Sequence, residues 1–576
     1  MRTPAPGPME QRGLGRVAHW LLGPGSQARS RRLVILILFP ALTLAGTLHF
    51  DFVFDDNIVV LGDPLVVGQV GPHEIFGSEV RVAEVALGYY RPLITLLYRA
   101  DRALWGMNPA GYHLTNLLWH LLATLLVYLV ALQTLEKPLA AWAAALLFSV
   151  LPAHTEAIGW IQGRVDLVST VLALLTLLAL LRVGDVPGAA GGAWAWLAGV
   201  SFLGALMAKE SAAPLPLAWL IWEASTPGNA GWRERLKKLS GRVAPLLMAG
   251  VLYWLLRRWA VGDSLSHFSM SVSPLLQRLL GLVAILAEYG RVLLFPDLGL
   301  NFHRTLTAAP SPSTLALALL VFGALGASLA IAWRYARPLF PWVAWVPIML
   351  LPPLLFVLDS RAIEQGFFSA ERFLYLPSVG WCVLLGYAVS IMPAGRGRPS
   401  GNGWGLVILG GLVLGYAALT WIRLTPWSDA ADLYVAMKRQ ANLPANVRIL
   451  AHNNLGEVYL QRGDFSAARE ELSAALRLKP DYTFAHNNLG VLLIREGRPS
   501  EAIRWLETAI RLDPNYTEAY GNLGAAYEAT GDLSAARRAY EAGLRITPGS
   551  AWLARGLARL TAEEAPAQAQ AAGGSQ

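Results

Sequence analysis

The stretch AHNNLG at residues 451–456 returns as AHNNLG at 485–490 and as AYGNLG at 519–524, an interval of 34 residues each time. Each unit then carries a glycine, an alanine and a proline at matching places: Gly463, Gly497 and Gly531; Ala468, Ala502 and Ala536; Pro480, Pro514 and Pro548. Small residues let paired helices approach closely, and stacking buries a face that no single unit can bury. The pattern therefore predicts a helical solenoid with repeats at about 451–484, 485–518 and 519–552 and a capping helix, over 449–562.

Upstream of the repeats, the chain has the composition of a membrane protein. Of its 576 residues 55% are hydrophobic and only 15% are charged, whereas a soluble domain carries about 25% charged residues. Lysine and arginine cluster at the ends of apolar runs, which is the pattern of membrane topology and argues against nucleic-acid binding. The single cysteine, Cys382, excludes a disulfide framework within the chain.

The apolar runs predict an all-α fold in which a polytopic transmembrane bundle of about eleven spans precedes the soluble solenoid. The expected divisions are a disordered cytoplasmic tail at 1–32, the bundle at 33–424 with an outer loop at 49–111, a linker helix at 425–448 and a disordered tail at 563–576. Basic clusters place the N-terminus in the cytoplasm and the repeats outside.

Two charged segments are predicted to lie in the membrane interface rather than cross it. The parity of the spans requires one segment between 243 and 333 not to cross, and 276–296 carries Arg278, Glu288 and Arg291. Residues 91–105 have apolar positions at helical spacing with arginines among them, which also favours an interfacial helix.

The polar residues of the bundle fall at the outer ends of predicted spans. Phe52-Val53-Phe54-Asp55-Asp56-Asn57 follows the first apolar run, and two adjacent carboxylates there are costly unless they are solvated, paired or used. A solvated acidic loop is the competing interpretation. Further motifs are His113, Asn116 and His120; His154-Thr155-Glu156; Gly163-Arg164-Val165-Asp166; Lys209-Glu210; and Glu371-Arg372. Charges that converge at one depth indicate a water-filled cavity.

The order of these motifs resembles that of a known family. The matching stretches are FVFDD (52–56), YRPL (90–93), HLTNLLWH (113–120), LPAHTEA (151–157), GRVD (163–166), AKE (208–210) and ERFLYLPS (371–378). Together with the repeats they resemble the transmembrane and tetratricopeptide-repeat O-mannosyltransferases and their bacterial relatives, which belong to the GT-C class of glycosyltransferases. The resemblance extends over about residues 33–560 and includes the position of the repeats.

The resemblance implies a sugar, mannose in the family, carried on a polyprenyl phosphate in the membrane. The acceptor is a protein Ser/Thr hydroxyl on the extracytoplasmic side, and the transfer inverts the anomeric configuration. The repeats are expected to bind the acceptor or another protein partner. The composition indicates a bacterial inner membrane, with the N-terminus cytoplasmic and the repeats periplasmic.

The chemistry needs a base for the attacking hydroxyl and cations for the departing phosphate. Asp55 or Asp56 matches the family's acidic position and is the candidate base, and Asp166 completes the predicted catalytic set. The alternative role of the Asp55–Asp56 pair is to hold a divalent cation, Mg²⁺ or Mn²⁺. The predicted substrate-binding residues are Arg91, Glu156, Arg164, Lys209, Glu210, Glu371 and Arg372.

Other interpretations stay open at this point. Arg164 could close the bundle by pairing with Asp166 or Glu156, and the other cations by pairing with neighbouring carboxylates. His113 and His120 favour interhelical hydrogen bonds over a metal site, since they lack a third ligand. The whole chain could be a non-catalytic membrane-anchored repeat scaffold, or a GT-C enzyme that modifies lipid or glycan or transfers an oligosaccharide.

Overall fold

The structure is a computed structural model and describes most of the chain. The described residues are 25–68, 70–79, 81–82, 85–86, 88–183, 189–226, 232–262, 275–297, 304–306, 312–356, 367–392, 403–440 and 443–573. The chain divides into two compact units, Met1–Asp429 and Ala430–Gln576. Helices dominate both units, in agreement with the all-α prediction.

The first unit is built from eighteen described α-helices with short connections. They are α1 Ser26–Leu44, α2 Asp56–Val59, α3 Pro64–Val67, α4 Pro72–Phe76, α5 Pro92–Trp105, α6 Pro109–Leu135, α7 Pro138–Ser149, α8 Thr155–Gly159, α9 Arg164–Val183, α10 Ala189–Ala208, α11 Leu215–Ser225, α12 Trp232–Val261, α13 Leu275–Leu294, α14 Pro312–Tyr335, α15 Phe340–Met349, α16 Leu351–Phe356, α17 Ser378–Ser390 and α18 Gly403–Leu424. Short 3₁₀ turns lie at Ala45–His49, Pro152–His154, Ile161–Gly163, Glu210–Ala212, Arg337–Leu339, Glu371–Leu374 and Thr425–Ser428.

Two small antiparallel pairs of strands interrupt the helical pattern. β1 Arg81–Val82 pairs with β2 Val85–Ala86 in the loop 49–111, whose outer position stays a prediction. β3 Arg304–Leu306 pairs with β4 Phe367–Ser369, which brings two segments far apart in sequence together just before the Glu371–Leu374 turn.

Seven helical segments among the described residues are long and apolar enough to cross a membrane. They are Ser26–His49, Pro109–Leu135, Ile161–Val183, Ala190–Ala208, Leu239–Val261, Leu315–Tyr335 and Trp404–Ser428. An eighth span results if Pro138–Ser149 and Pro152–Gly159, which bend by 48° at their junction, count as one. The first unit is thus a multi-pass membrane bundle.

The sequence count of about eleven spans differs from these seven or eight because several apolar runs form short helices. The run predicted at 338–358 is divided into α15 and α16, with Pro347 inside α15. Residues 26–32, predicted to belong to a disordered tail, lie in α1, while residues 1–24 fall outside the described part of the chain. The segment 276–296 forms α13, and its interfacial position stays a prediction.

Helix α7 forms the centre of the bundle. From Leu139 to Ser149 its residues are all buried, and five of them are alanines. Small side chains let neighbouring membrane helices approach closely, and a Cβ added to Gly386 of α17 would lie 2.5 Å from the carbonyl oxygen of Ala140. The only cysteine, Cys382, also lies in α17 and is fully buried. This tight centre fixes the helix ends that carry the polar motifs.

The second unit is a stack of antiparallel helix pairs. Its helices are α19 Ala430–Lys438, α20 Ala445–Arg462, α21 Phe465–Leu478, α22 Thr483–Arg495, α23 Pro499–Leu512, α24 Thr517–Thr530, α25 Leu533–Ile546 and α26 Ala551–Gly573. Gly463, Gly497 and Gly531 adopt positive φ angles at the turns inside the repeats, as the spacing predicts. Helix α26 continues to Gly573, although the sequence predicts a disordered tail from 563.

One glycine per repeat is required by close helix packing. A Cβ added to Gly490 would lie 2.5 Å from Cγ of Leu506, and Leu506 is fully buried between the paired helices. Gly456 and Gly524 occupy the same place against Leu472 and Tyr540.

We expect Gly490→Ala to destabilise the repeat unit by about 1–3 kcal/mol, because the added methyl group overpacks the contact with Leu506. Gly549→Ala is the matched control, since nothing lies within 4 Å of a Cβ at that position. Scanning calorimetry of the purified full-length variants measures the difference. Equal unfolding temperatures for the two variants would contradict the packing described here.

Candidate functional site

The polar motifs gather at one end of the bundle. Hydrogen bonds and ion pairs join the helix ends that meet there. Arg164 at the start of α9 bonds Tyr112 in the first turn of α6, and Asp166 of α9 pairs with Lys209 just after α10. Asp51, which follows α1, bonds Ser428, which follows α18. The loop between α1 and α6 covers this end. The structure therefore brings together residues that are more than 300 positions apart in the sequence.

Aromatic contacts hold the first outer loop in place. The ring of Phe52 packs against Tyr112 with centroids 5.3 Å apart, and that of Phe54 packs against Trp160 at 5.7 Å. Phe54 has a φ of 55°, an unfavourable conformation for a residue with a large side chain. Such strain persists only where the surroundings enforce it, and it is common at functional sites.

Asp56 is a buried anchor of this loop. Its Oδ2 accepts a hydrogen bond from the Val53 N–H (3.1 Å) and its Oδ1 accepts one from the Gln162 N–H (3.1 Å). Burial raises the pKa of Asp56 to about 8, although both backbone donors favour the ionised form. Oδ1 thus ties the loop to the turn that precedes α9, and Oδ2 closes a turn within the loop itself. Both contacts are structural.

Asp55 has a different environment from its neighbour. Its side chain is half-buried. Burial raises the pKa of Asp55 to about 6, and the positive charge of Arg372 opposes that rise. A carboxyl group with a pKa near 6 is a better base for a hydroxyl than one at the ordinary value near 4.

Arg372 is held by Glu156. The Glu156 carboxylate accepts hydrogen bonds from the Arg372 guanidinium and from the Arg372 backbone N–H, the latter at 3.0 Å. The guanidinium carbon lies 5.5 Å from the centre of the Trp160 ring and 5.3 Å from that of Phe373. The pair joins the turn at 371–374 to α8.

Lys209 is the second cation at this place. Its Nζ donates to Asp166 Oδ1 at 2.5 Å, and both side chains are buried. The same Nζ lies 4.8 Å from the centre of the Phe373 ring, which thus contacts both Lys209 and Arg372. The two cations share the Phe373 ring, and the charge of Arg372 acts on the half-buried Asp55 carboxylate. The candidate site is therefore made of Asp55, Glu156, Asp166, Lys209, Arg372 and Phe373.

Arg164 has none of the residues of this candidate site as a partner. It is fully buried and pairs with Asp101 at 2.5 Å, donates from Nε to Asn116 Oδ1 (2.8 Å), and donates from Nη2 to the Tyr112 carbonyl oxygen (3.0 Å). These contacts use the guanidinium to fasten α5 and α6 to the start of α9. The proposed phosphate role of Arg164 is therefore not supported by its surroundings.

The remaining predicted residues form two further ion pairs. Arg91 faces Glu210 at 3.6 Å, and Glu210 also accepts a hydrogen bond from Tyr253 (3.2 Å). Glu371 pairs with Arg423 at the end of α18, and Arg423 also donates to the Asp297 carbonyl oxygen (2.8 Å). Arg91 lies near the site, since its charge acts on Lys209, whereas Glu371 serves to fix the turn that carries Arg372.

The histidines form contacts inside the bundle. The Nδ1 of His120 lies 2.6 Å from Tyr375 Oη and its Nε2 lies 2.9 Å from the Ser149 carbonyl oxygen. The predicted interhelical bonding is confirmed for His120, while His113 packs its ring against Phe50 at 5.8 Å. Within the described ranges no group of three or more His, Cys, Asp or Glu is arranged to hold a metal ion.

The charged residues pair differently from the alternatives weighed above. The alternatives Arg164 with Asp166 or Glu156 are replaced by Arg164 with Asp101, whereas Asp166 pairs with Lys209. Asp101 and Arg423 were missed. Asp101 lies on the face of α5 that buries Ile94 and Tyr98. The helical spacing of these three residues could have predicted that Asp101 is buried and needs a partner.

Comparison with known families identifies the second unit. Two models described as tetratricopeptide repeat match residues 453–517 and 493–571. Among solved structures, the first tetratricopeptide domain of Spaghetti (RPAP3), bound to an HSP90 peptide, is 23% identical with a TM-score of 0.20, covering 20% of this chain and 93% of that one.

Comparison with curated proteins yields relatives that match different shares of the chain. "Protein O-mannosyl-transferase Tmtc3" of Drosophila melanogaster is 27% identical over 488 residues, covering 71% of this chain and 50% of the relative. "Protein O-mannosyl-transferase F38B6.6" of Caenorhabditis elegans is 25% identical over 477 residues, covering 80% and 65%. "Protein O-mannosyl-transferase Tmtc1" of Drosophila melanogaster is 39% identical over 142 residues, covering 24% and 16%.

The fold and the matches define a multi-pass membrane protein with a C-terminal tetratricopeptide-repeat domain. Two of the relatives match across 71% and 80% of the chain, so the similarity is not confined to the repeats. The chain is similar over most of its length to proteins named protein O-mannosyl-transferase. Its matches span from a sixth to about two thirds of the length of these three proteins.

We expect Arg164→Met to destabilise the bundle by about 3–5 kcal/mol, because it leaves the buried Asp101 carboxylate without its counter-charge. Asp101→Leu/Arg164→Met should recover part of the loss, since the double variant removes both charges. Thermal stability of the detergent-purified protein, read by size-exclusion chromatography after heating, measures the effect. Arg102→Met serves as control, because it removes an exposed arginine from α5, the helix that carries Asp101. Equal stability of the single and double variants would exclude a structural ion pair.

Proposed function

We propose that the protein is a glycosyltransferase that moves a mannosyl group from a polyprenyl-phosphate carrier to a Ser/Thr hydroxyl of a protein, with inversion. Curated relatives that match 71% and 80% of the chain have protein O-mannosyl-transferase in their names, which supports this reaction. The observation that carries the proposal is that Arg372 and Lys209 both contact the Phe373 ring, and that the positive charge of Arg372 acts on the half-buried Asp55.

Asp55 is the proposed general base. As the acceptor hydroxyl oxygen attacks the anomeric carbon, its proton passes to the Asp55 carboxylate. The bond from the anomeric carbon to the phosphate oxygen breaks, and that oxygen keeps the electron pair on the lipid phosphate. Attack and departure on opposite faces of the sugar invert the anomeric carbon.

Arg372 and Lys209 are the proposed partners of the lipid phosphate. Glu156 and Asp166 hold the two cations in fixed positions, so little reorganisation is needed when negative charge builds up on the leaving oxygen. Arg372 offers N–H groups beyond the one that pairs with Glu156, and lysine has three donors of which one faces Asp166. Arg91, paired more loosely with Glu210 at 3.6 Å, is the third cation proposed for this region.

The proposed orientation puts this end of the bundle and the repeats on the extracytoplasmic side of a bacterial inner membrane. The N-terminus is then cytoplasmic. The repeats are proposed to bind the protein acceptor or a partner. Asp55 is preferred here as a base over a metal ligand because Asp56 uses both of its oxygens on backbone amides.

We expect Asp55→Asn to lower transfer from polyprenyl-phosphate-mannose by about 10²–10⁴-fold at unchanged protein level, because the amide cannot take up the proton. Radiolabelled sugar transferred by membranes that contain each variant is the measurement. Asp51→Asn, at an exposed neighbouring position, should retain activity.

Asp56→Asn supplies a second comparison. It weakens the anchoring of the loop, so folded yield and transfer should fall together. Full activity of Asp55→Asn would remove the assignment of the base, and no transfer by the wild type would contradict the proposed reaction.

The pH profile of transfer should follow the ionisation of Asp55. Because the base must be ionised and its pKa is raised to about 6, the rate should fall about tenfold per pH unit below pH 6 and level off above it. The positive charge of Arg372 lowers this pKa, so Arg372→Gln should move the inflection to higher pH in whatever activity remains. An inflection that stays in place in Arg372→Gln would contradict the coupling.

A further inference from the structure

A chain of side-chain amides runs along the repeat unit. Its hydrogen bonds are, in order, Asn454 Nδ2 to Tyr434 Oη (3.1 Å), Asn453 Nδ2 to Asn454 Oδ1 (3.0 Å), Asn488 Nδ2 to Asn453 Oδ1 (3.2 Å), Asn487 Nδ2 to Asn488 Oδ1 (3.3 Å) and Asn522 Nδ2 to Asn487 Oδ1 (2.8 Å). The chain crosses three successive repeats. It fixes the orientation of each amide before any ligand arrives.

The amide chain lies on the inner side of the stack. Its asparagines belong to α20, α22 and α24, the first helices of the repeats, which pack directly against one another. The second helices α21, α23 and α25 are less closely spaced among themselves. In a curved stack, the layer with the closer spacing is the concave one, and concave solenoid surfaces are binding surfaces.

Three of the asparagines retain hydrogen-bonding capacity. Asn454, Asn488 and Asn522 are half-buried, whereas Asn453 and Asn487 are buried. An amide side chain has two N–H donors and two acceptor sites, and the chain uses only part of these. One donor and one acceptor per amide, repeated along a groove, match the alternating C=O and N–H groups of an extended main chain.

An aromatic cluster lies on the first helices of the same repeats. Phe484 is 47% exposed, with its ring centroid 5.4 Å from that of Tyr482 and 5.2 Å from that of Tyr516. A large exposed aromatic side chain held between two others is an unused apolar and π surface.

Two carboxylates give this cluster a negative charge. Glu457 and Glu518 are exposed, and both raise the pKa of the Tyr516 phenol. Neither has an ion-pair partner in the described part of the chain; Gln461 alone donates to Glu457, at 3.3 Å. Lys479 Nζ lies 5.7 Å from the Tyr482 ring centre.

We propose that the concave surface of the repeats binds an extended peptide with a basic side chain. The Asn454, Asn488 and Asn522 amides bond its main chain, and a lysine or arginine lies over Phe484 and Tyr516 between Glu457 and Glu518. The charge and the π surface select a cation. The inference rests on the proposed function and deepens it, because such a peptide segment would belong to the acceptor protein.

The test uses the purified full-length protein and two fluorescein-labelled peptides of alternating Ser and Thr, nine residues long, one with a central Lys and the other with a central Glu. Fluorescence anisotropy gives the dissociation constants. We expect the Lys peptide to bind at least tenfold more tightly than the Glu peptide. Glu457→Gln/Glu518→Gln should weaken the Lys peptide by about tenfold and reduce the discrimination.

Two further variants separate the parts of the surface. Asn488→Ala should weaken both peptides equally, because it removes a main-chain contact, and its melting temperature reports whether the repeat stays folded. Glu470→Gln/Glu541→Gln removes the same charge from the second helices and should change nothing. Equal affinity for the two peptides, preference for the Glu peptide, or no effect of Glu457→Gln/Glu518→Gln would each overturn the inference.

The outcome is distinguishable from that of the proposed transferase reaction. If membranes transfer the sugar but Glu457→Gln/Glu518→Gln binds the Lys peptide like the wild type, the inference fails and the reaction stands. If the Lys peptide binds as expected and no sugar is transferred, the reaction fails and the peptide surface stands.

Discussion

A buried charge must be paired, and this constraint organises the polar end of the membrane bundle. Removing an ion from water costs several kcal/mol, and only a partner with good geometry offsets that cost. The pairs found here each join segments distant in sequence: Asp101 with Arg164, Glu156 with Arg372, Asp166 with Lys209, and Glu371 with Arg423. They therefore determine which helix ends meet. Apolar contacts cannot do this in a membrane, because an apolar side chain packs almost equally well against lipid and against another helix.

The pairs differ in what they leave available. Arg164 uses its guanidinium on Asp101, Asn116 and Tyr112, and nothing of it faces solvent. Arg372 keeps 17% of its side chain exposed beside Asp55. A structural arginine and one proposed to bind the lipid phosphate thus look alike in the sequence, where each belongs to a polar motif at a helix start. Their burial and the number of occupied N–H groups separate them.

The repeats were the easiest part to predict. The glycines of the turns, the alanines that pack the helices and the prolines that end them all recur with the same 34-residue period. The membrane bundle was harder. Its polar motifs predicted that Asp55, Glu156, Asp166, Lys209 and Arg372 share one end, because charged residues avoid lipid. Their partners depend on how helices rotate and tilt against each other, and no periodicity records that. Arg423 was not predicted for the same reason: its partner, Glu371, lies 52 positions away in the sequence and on another segment.

The burial of Cys382 has a practical consequence. The chain contains one thiol, and the centre of the bundle shields it completely from solvent. A water-soluble maleimide reagent has no native target on the folded protein. A cysteine introduced into any one loop then becomes the sole reporter of which face of the membrane that loop occupies, in a chain whose own sequence is otherwise unaltered.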